Sequence, residues 1–225
     1  MTPLHRHQVA WPSPAGWQRV LVREWDAPAR ACLQHWATHG LPLVVTRQPE
    51  PQDTLTRDVA LGLSAPNRWQ RRRLALQLPL SDVLYLDEFP ALERVAGQLP
   101  MADRAAARRL AQTLQNLGCT ARVYGSHGWQ HLTGLDHLRP GSDLDVWLAV
   151  SDAEQADEAA SALASFSAST RLDGELVFPG DTAVAWREWQ AWREGRTRAL
   201  LVKRLHGPDA ITRLSALLPH AAVPA

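Results

Sequence analysis

Two short stretches of the sequence carry residue types that can do chemistry. Gly125-Ser126 stands between TARVYG, which reads as a strand, and SHGWQHLTG, which begins a helix. A glycine there lets a phosphate approach the backbone, the Ser126 hydroxyl adds a donor, and the free amides of a helix start attract anions. After a spacer of 16 residues, Asp143-Leu144-Asp145 opens the apolar run DLDVWLAV. Residues i and i+2 of a strand point to one side, so Leu144 and Val146 can face a core while Asp143 and Asp145 face one opening. Two carboxylates held that way repel unless a cation lies between them. Mg2+ suits the position, because it takes oxygen ligands and bridges to phosphates, and Mn2+ is the alternative. A third element is RLDGEL, where Asp173 and Glu175 share a face and either can join the cluster as a metal ligand. Gly174 between them can mark a bulge that rotates one acid away, and a solvated strand edge is the plain alternative. Three carboxylates, bound metal and a phosphate cradle describe in-line phosphoryl or nucleotidyl transfer.

The elements that would position these residues fall into two parts, 1–80 and 81–225. The first reads as a small α+β unit: strands at HQVAW, Leu41–Thr46, DVALGLS and RRLALQL, one helix at APARACLQHWATHG, and a polar, proline-bearing loop at RQPEPQDTLTR. The second part reads as SDVLYLDEFPALERVAGQL, mostly helical with Ser81 or Asp82 as cap, then MADRAAARRLAQTLQNLG, the strongest helical pattern in the chain. Strands TARVYG, DLDVWLAV, TRLDGELVF and RALLVKRL alternate with helices SHGWQHLTG, DAEQADEAASALASF, DTAVAWREWQAW and GPDAITRLSALL, and PHAAVPA should fray. The fold class expected is α+β with an α/β-like character: a mixed sheet flanked by helices, preceded by a small α+β domain.

Composition narrows the class. The chain has 225 residues, 45% hydrophobic and 21% charged, as in ordinary globular proteins. No apolar run reaches the roughly 20 residues needed to span a bilayer, and the N-terminus shows no apolar signal region. The two cysteines, Cys32 and Cys119, are far apart, so a reducing cytoplasm is the simplest location. A net charge of +1 weighs against a nucleic-acid partner. Trp186, Trp189 and Trp192 recur at spacing three, which suits a core-facing stripe better than a stacking platform. Trp129 and Trp147, flanking the motif, are expected in the core. Arg71, Arg72 and Arg73 form the densest basic run, either a solvated strand end or a contact for phosphate or an acidic partner. His5 and His7 are expected on a surface N-terminus, His127 and His131 on a polar helix face, and Cys32 in an apolar helix.

The combination of GS, DLD on a strand and a later strand aspartate resembles the polymerase-β-type nucleotidyltransferase superfamily, although the 16-residue spacer is long for it. YGSHGWQHLTG with GSDLDVWL is closer still to one branch, the malonate decarboxylase holo-acyl-carrier-protein synthases, which are phosphoribosyl-dephospho-CoA transferases. The match is sharpest over Tyr124–Leu148 and continues through RLDGELVFPG, AVAWREW and LLVKRL. The resemblance implies transfer of the phosphoribosyl-dephospho-CoA group from 2'-(5''-triphosphoribosyl)-3'-dephospho-CoA to a serine of an apo acyl carrier subunit, with release of pyrophosphate. It implies that Asp143 and Asp145 hold metal, that Asp173 holds the nucleophile-side metal and accepts the proton, and that Gly125 and Ser126 bind the triphosphate. Lys203 is the only lysine in a chain that otherwise uses arginine. Its ammonium suits a triphosphate contact, or it ends a strand in water. Another acceptor, a small molecule or RNA, and a non-catalytic nucleotide-binding module remain the alternatives.

Overall fold

A computed structural model describes residues 4–49 and 58–217. Most of the loop expected at 47–57, and the tail expected to fray, lie outside the described residues. Two sheets organise the chain. The first has the order β4-β3-β2-β1-β5, from β1 (Val9–Pro12), β2 (Leu43–Val45), β3 (Asp58–Ser64), β4 (Arg73–Pro79) and β5 (Val83–Asp87), and its pairings are antiparallel. Every second residue of β3 and β4 is buried: Val59, Leu61 and Leu63 on one strand, Leu74, Leu76 and Leu78 on the other. Against them pack Trp17 and Val20 of α1 (Pro14–Val22) and Cys32, Leu33 and Trp36 of α2 (Ala27–Thr38).

The second sheet has the order β11-β10-β9-β8-β7-β6, from β6 (Arg122–Val123), β7 (Leu144–Ala149), β8 (Leu172–Phe178), β9 (Thr182–Ala185), β10 (Leu200–Lys203) and β11 (Pro208–Ile211). It is mixed, with β7 and β8 parallel and the other pairings antiparallel. Its helices are α3 (Leu92–Val95), α4 (Met101–Asn116), α5 (Gly125–Thr133), α6 (Ala153–Ala164) and α7 (Trp186–Arg193). Leu144, Val146 and Leu148 of β7 are fully buried among residues of α4, α6 and β8. The architecture is the α+β class expected from the sequence.

Four local readings need correction. SDVLYLDEF is not helical: Val83–Asp87 pairs with β1, through Val9↔Asp87, Ala10↔Leu86 and Trp11↔Tyr85. As an edge strand it keeps Leu84 and Tyr85 exposed, so it lacks the alternation that would mark it. DTAVA is the strand β9, which runs directly into α7 without a breaker. PDAI is β11, an antiparallel partner of β10, and among the described residues a 3-10 turn at Leu214–Ala216 follows it. Finally, α1 is a second helix of the first unit. Pro14 at its start and Ser13 as its cap, accepting from the amide of Gly16, are the signals that mark it. The tryptophans behave as expected: Trp129, Trp147, Trp186 and Trp189 are buried and Trp192 packs against the core. Cys32 and Cys119 are both buried and free. Among the described residues no helix is long and apolar enough to cross a membrane.

Candidate active site

The parallel pair β7–β8 brings the acidic residues together. Its register runs without interruption from Leu144↔Leu172 to Ala149↔Val177 and places Asp145 beside Asp173. Gly174 therefore makes no bulge. Its lack of a side chain answers a close approach instead, since a Cβ there would lie 2.1 Å from the carbonyl oxygen of Val146. The loop before β8 is anchored by Asp103 of α4, a buried carboxylate that accepts from the amides and hydroxyls of Ser169 and Thr170. Those bonds, the Ser169 amide first, hold its carboxyl well below the usual range. Sequence reasoning gave Asp103 no role, because its partners lie 66 and 67 residues away.

Asp143 and Asp145 face a cavity of about 280 Å³ that Gly125 and Ser126 also line. The amide of Tyr124 donates to the carbonyl of Asp145 at 3.0 Å, which fixes the end of β6 against β7. The chain then turns into α5 through Gly125, at φ +62°. A Cβ at Gly125 would sit 2.1 Å from Asp145 Oδ2. Glycine is thus required twice, by its backbone conformation and by the carboxylate beside it. Burial, then the charges of Asp173 and Asp143, push the Asp145 carboxyl up to about 6. Arg171 approaches Asp143 at 3.6 Å and Asp173 at 3.9 Å, and Arg187 approaches Asp173 at 3.2 Å.

Glu175, the other candidate for the third carboxylate, is engaged elsewhere. It accepts from Lys203 Nζ at 2.7 Å and from His7 Nε2 at 3.2 Å, with Arg6 at 3.8 Å. Burial alone would raise its carboxyl, but His7, Arg6 and Lys203 together pull it down to about 2. Lys203 meets this carboxylate and does not line the cavity. His5 and His7 are not on an open surface: His5 bonds Glu88 at 2.7 Å, and His7 stacks on Tyr124 at 4.2 Å. His127 is buried rather than on a polar face, while His131 is exposed. The cavity is also lined by Ser64, Ala65, Arg71 and Arg73 from the β3–β4 hairpin, and by Arg139 from the loop before β7. Of these arginines the basic run drew notice in the sequence, and Arg139 did not.

The donor set fits a hard divalent cation in a limited way. Among the described residues no three acidic, histidine or cysteine side chains gather closely enough to ligate one ion. Asp173 pairs with Arg171 and Arg187 and does not line the cavity, whereas Asp143, which Arg171 also approaches, and Asp145 do line it. Mg2+ is commonly bound by one or two carboxylates, with water and substrate phosphates completing the shell, so the pair suffices. The raised carboxyl of Asp145 marks a local excess of negative charge, which a cation would relieve.

Comparison with known proteins gives the family. Residues 5–88 match the N-terminal domain, and residues 91–214 the C-terminal domain, of the family described as phosphoribosyl-dephospho-CoA transferase MdcG. The chain belongs to the phosphoribosyl-dephospho-CoA transferase family. It is 34% identical over 205 residues to the phosphoribosyl-dephospho-CoA transferase of Bradyrhizobium diazoefficiens, covering 90% of this chain and 88% of that one. With the protein of the same name from Xanthomonas euvesicatoria pv. vesicatoria, identity is 33% over 201 residues, 88% of this chain and 89% of the relative. With that from Pseudomonas putida it is 28% over 216 residues, 96% and 97% of the two chains. No solved structure matches. The protein is therefore an enzyme of the transferase class. The C-terminal family domain spans the whole of Gly125-Ser126, Asp143, Asp145 and Asp173, and the N-terminal domain contributes Arg71 and Arg73 to the cavity wall.

Proposed function

We propose that the enzyme transfers the phosphoribosyl-dephospho-CoA group of 2'-(5''-triphosphoribosyl)-3'-dephospho-CoA to a serine of the apo acyl carrier subunit of malonate decarboxylase, releasing pyrophosphate. The observation that carries this reading is the placement of Asp143 and Asp145 on one cavity wall beside Gly125-Ser126 at the start of α5. In the reaction the serine oxygen attacks the α-phosphorus and the bond from that phosphorus to the pyrophosphate oxygen breaks. Asp143 and Asp145 are the residues to hold Mg2+ or Mn2+, which supplies neutralisation of the triphosphate and of the leaving pyrophosphate. The Ser126 hydroxyl and the amides that open α5 donate to the departing phosphates. Asp173, beside Asp145 in register, takes the proton from the serine hydroxyl as the new bond forms. Arg171 and Arg187, within 4.0 Å, orient its carboxylate. Two buried free cysteines fit a cytoplasmic enzyme.

The test is incubation of the enzyme with purified apo carrier, Mg2+ and the triphosphoribosyl precursor, followed by intact mass of the carrier. A mass gain equal to the phosphoribosyl-dephospho-CoA group, with one pyrophosphate per carrier, is the expected result. An unmodified carrier would overturn the choice of acceptor.

A further inference from the structure

Three arginines line the same cavity as Asp143 and Asp145. Arg71 and Arg73 project from the β3–β4 connection of the first sheet and Arg139 from the loop between α5 and β7. Arg72, between the first two, points elsewhere and pairs with Asp26. Among the described residues, Arg72, Arg171, Arg187 and Arg193 each have a carboxylate within 4.0 Å, whereas Arg71, Arg73 and Arg139 have none. Three arginines that line one cavity with no carboxylate within 4.0 Å of any of them are suited to an external anion.

The backbone holds them there. Gln70 and Arg71 are both left-handed, at φ +59° and +55°, in a turn closed by the Arg71 amide on the carbonyl of Pro66. Such conformations cost energy in residues other than glycine and persist where surrounding structure enforces them. The same turn grips the other unit: the Asn67 amide donates to the carbonyl of Asp136 at 3.0 Å, and Asn67 Nδ2 to that of Leu138 at 3.2 Å. The long spacer between Ser126 and Asp143 is thus spent on reaching the first sheet, and it carries Arg139 to Arg71 and Arg73.

We infer that Arg71, Arg73 and Arg139 bind the two outer phosphates of the substrate triphosphate, so that the small first sheet supplies half of the substrate pocket. The inference rests on the reading of the substrate as a triphosphate. The planar fork of each guanidinium matches two phosphate oxygens. Asp143, Asp145 and Ser126 line the same cavity, so the departing pyrophosphate is met by the arginines together with the Ser126 hydroxyl and the amides that open α5.

Titration calorimetry with inorganic tripolyphosphate and Mg2+ tests this apart from turnover. Arg71→Ala and Arg73→Ala should each weaken binding on the order of 10-fold or more, as expected for lost charge-assisted hydrogen bonds. Arg71→Lys and Arg73→Lys, which keep the charge without the fork, should lose less. Arg72→Ala should stay within about twofold of the parent. Should an alanine variant fold poorly by thermal melting, the lysine pair still reads the effect. Tripolyphosphate affinity unchanged in Arg71→Ala/Arg73→Ala, or no binding by the parent, overturns the inference. So does a rise in the carrier's KM with tripolyphosphate binding intact, which would make the arginines a carrier-docking surface. Arginine-dependent tripolyphosphate binding by an enzyme that leaves the carrier unmodified would sustain the subsite and sink the reading of the acceptor instead.

Discussion

Asp145 and Glu175 lie two register positions apart along the same parallel strand pair, Asp145 opposite Asp173 and Glu175 opposite Trp147. Burial raises both carboxyls, yet they end on opposite sides of the ordinary range. At Asp145 the neighbouring charges are also negative and the carboxyl rises to about 6. At Glu175 the side chains of Arg6, His7 and Lys203 converge from two distant parts of the chain and the carboxyl falls to about 2. The fold therefore neutralises one buried carboxylate completely and leaves the other short of positive charge. A group left in the second state in a cavity is the better candidate for chemistry, because an incoming cation or proton finds unspent interaction there. Glu175 instead ties β8 to β10 through Lys203 and to the N-terminal segment through His7 and Arg6.

The comparison breaks most visibly in activity. Asp143→Asn and Asp145→Asn keep volume and remove charge. Each should lower transfer by on the order of 10² to 10³ while melting at or near the parent temperature. Near-parent rates in both, with Mg2+ present, would take the pair out of the site. Asp173→Asn belongs with them, whereas Glu175→Gln should retain transfer to within several-fold. Should the Glu175 variant be the inactive one and the Asp173 variant active, the third carboxylate is Glu175 and the contrast drawn above is reversed.

Next in size is Gly125→Val. Its side chain would have to displace the Asp145 carboxylate, which lies 2.1 Å from the position of a Cβ, at a backbone φ of +62°. Precursor affinity by calorimetry should fall by at least an order of magnitude, with a loss of stability of about 1–3 kcal/mol from the enforced conformation. Ser126→Ala loses one donor while the helix amides remain, so a decrease of several-fold is expected. Unchanged affinity in the valine variant would separate Gly125 from the substrate pocket.

The Glu175 cluster should show itself in stability. Glu175→Gln and Lys203→Ala each strip a buried or half-buried ion pair, at about 1–3 kcal/mol. That corresponds to a few degrees in Tm for each kcal/mol in a chain of this size. Because the folded carboxyl is depressed, its contribution is present above the unfolded value near 4.5 and is lost as pH falls towards 2. The Tm deficit of Glu175→Gln should therefore be full at pH 7 and shrink below pH 4. A Lys203→Ala variant with normal Tm and abolished transfer would place the ammonium on the substrate instead.

What was legible in the sequence follows from distance along the chain. Asp143, Asp145 and their strand could be read because alternation within six residues decides which side chains share a side, and Gly125-Ser126 because strand and helix meet there. RLDGEL reads as a strand with Asp173 and Glu175 on one face, but which of the two stands beside Asp145, and that the strands are adjacent and parallel, only the structure shows. The edges misled: β5 and β11 lie at the margins of their sheets, with exposed faces that blur the period-two pattern. Arg71 and Arg73 stand out as part of a basic run, but nothing local says that they line the same cavity as Asp143. Lys203 was singled out for its rarity, and rarity could not reveal that its partner is Glu175 rather than a phosphate contact on the cavity wall.

The smallest expected effect is the most direct reading of the charge left at Asp145. A raised carboxyl pKa means that the folded protein binds this proton more tightly than the unfolded chain. The ionised side chain therefore subtracts stability above about pH 6, and the penalty fades as pH falls towards the ordinary carboxylate range near 4. Asp145→Asn removes the ionisation altogether. In metal-free buffer at pH 8 the variant should melt up to a few degrees above the parent, and the gap should close between pH 6 and pH 4. Adding Mg2+ at pH 8 should then raise the Tm of the parent and leave the variant where it was, because a ligand stabilises only the state that binds it. A variant that melts below the parent at pH 8 would mean that the carboxylate is a structural partner like Glu175, and the distinction between the two sites would collapse.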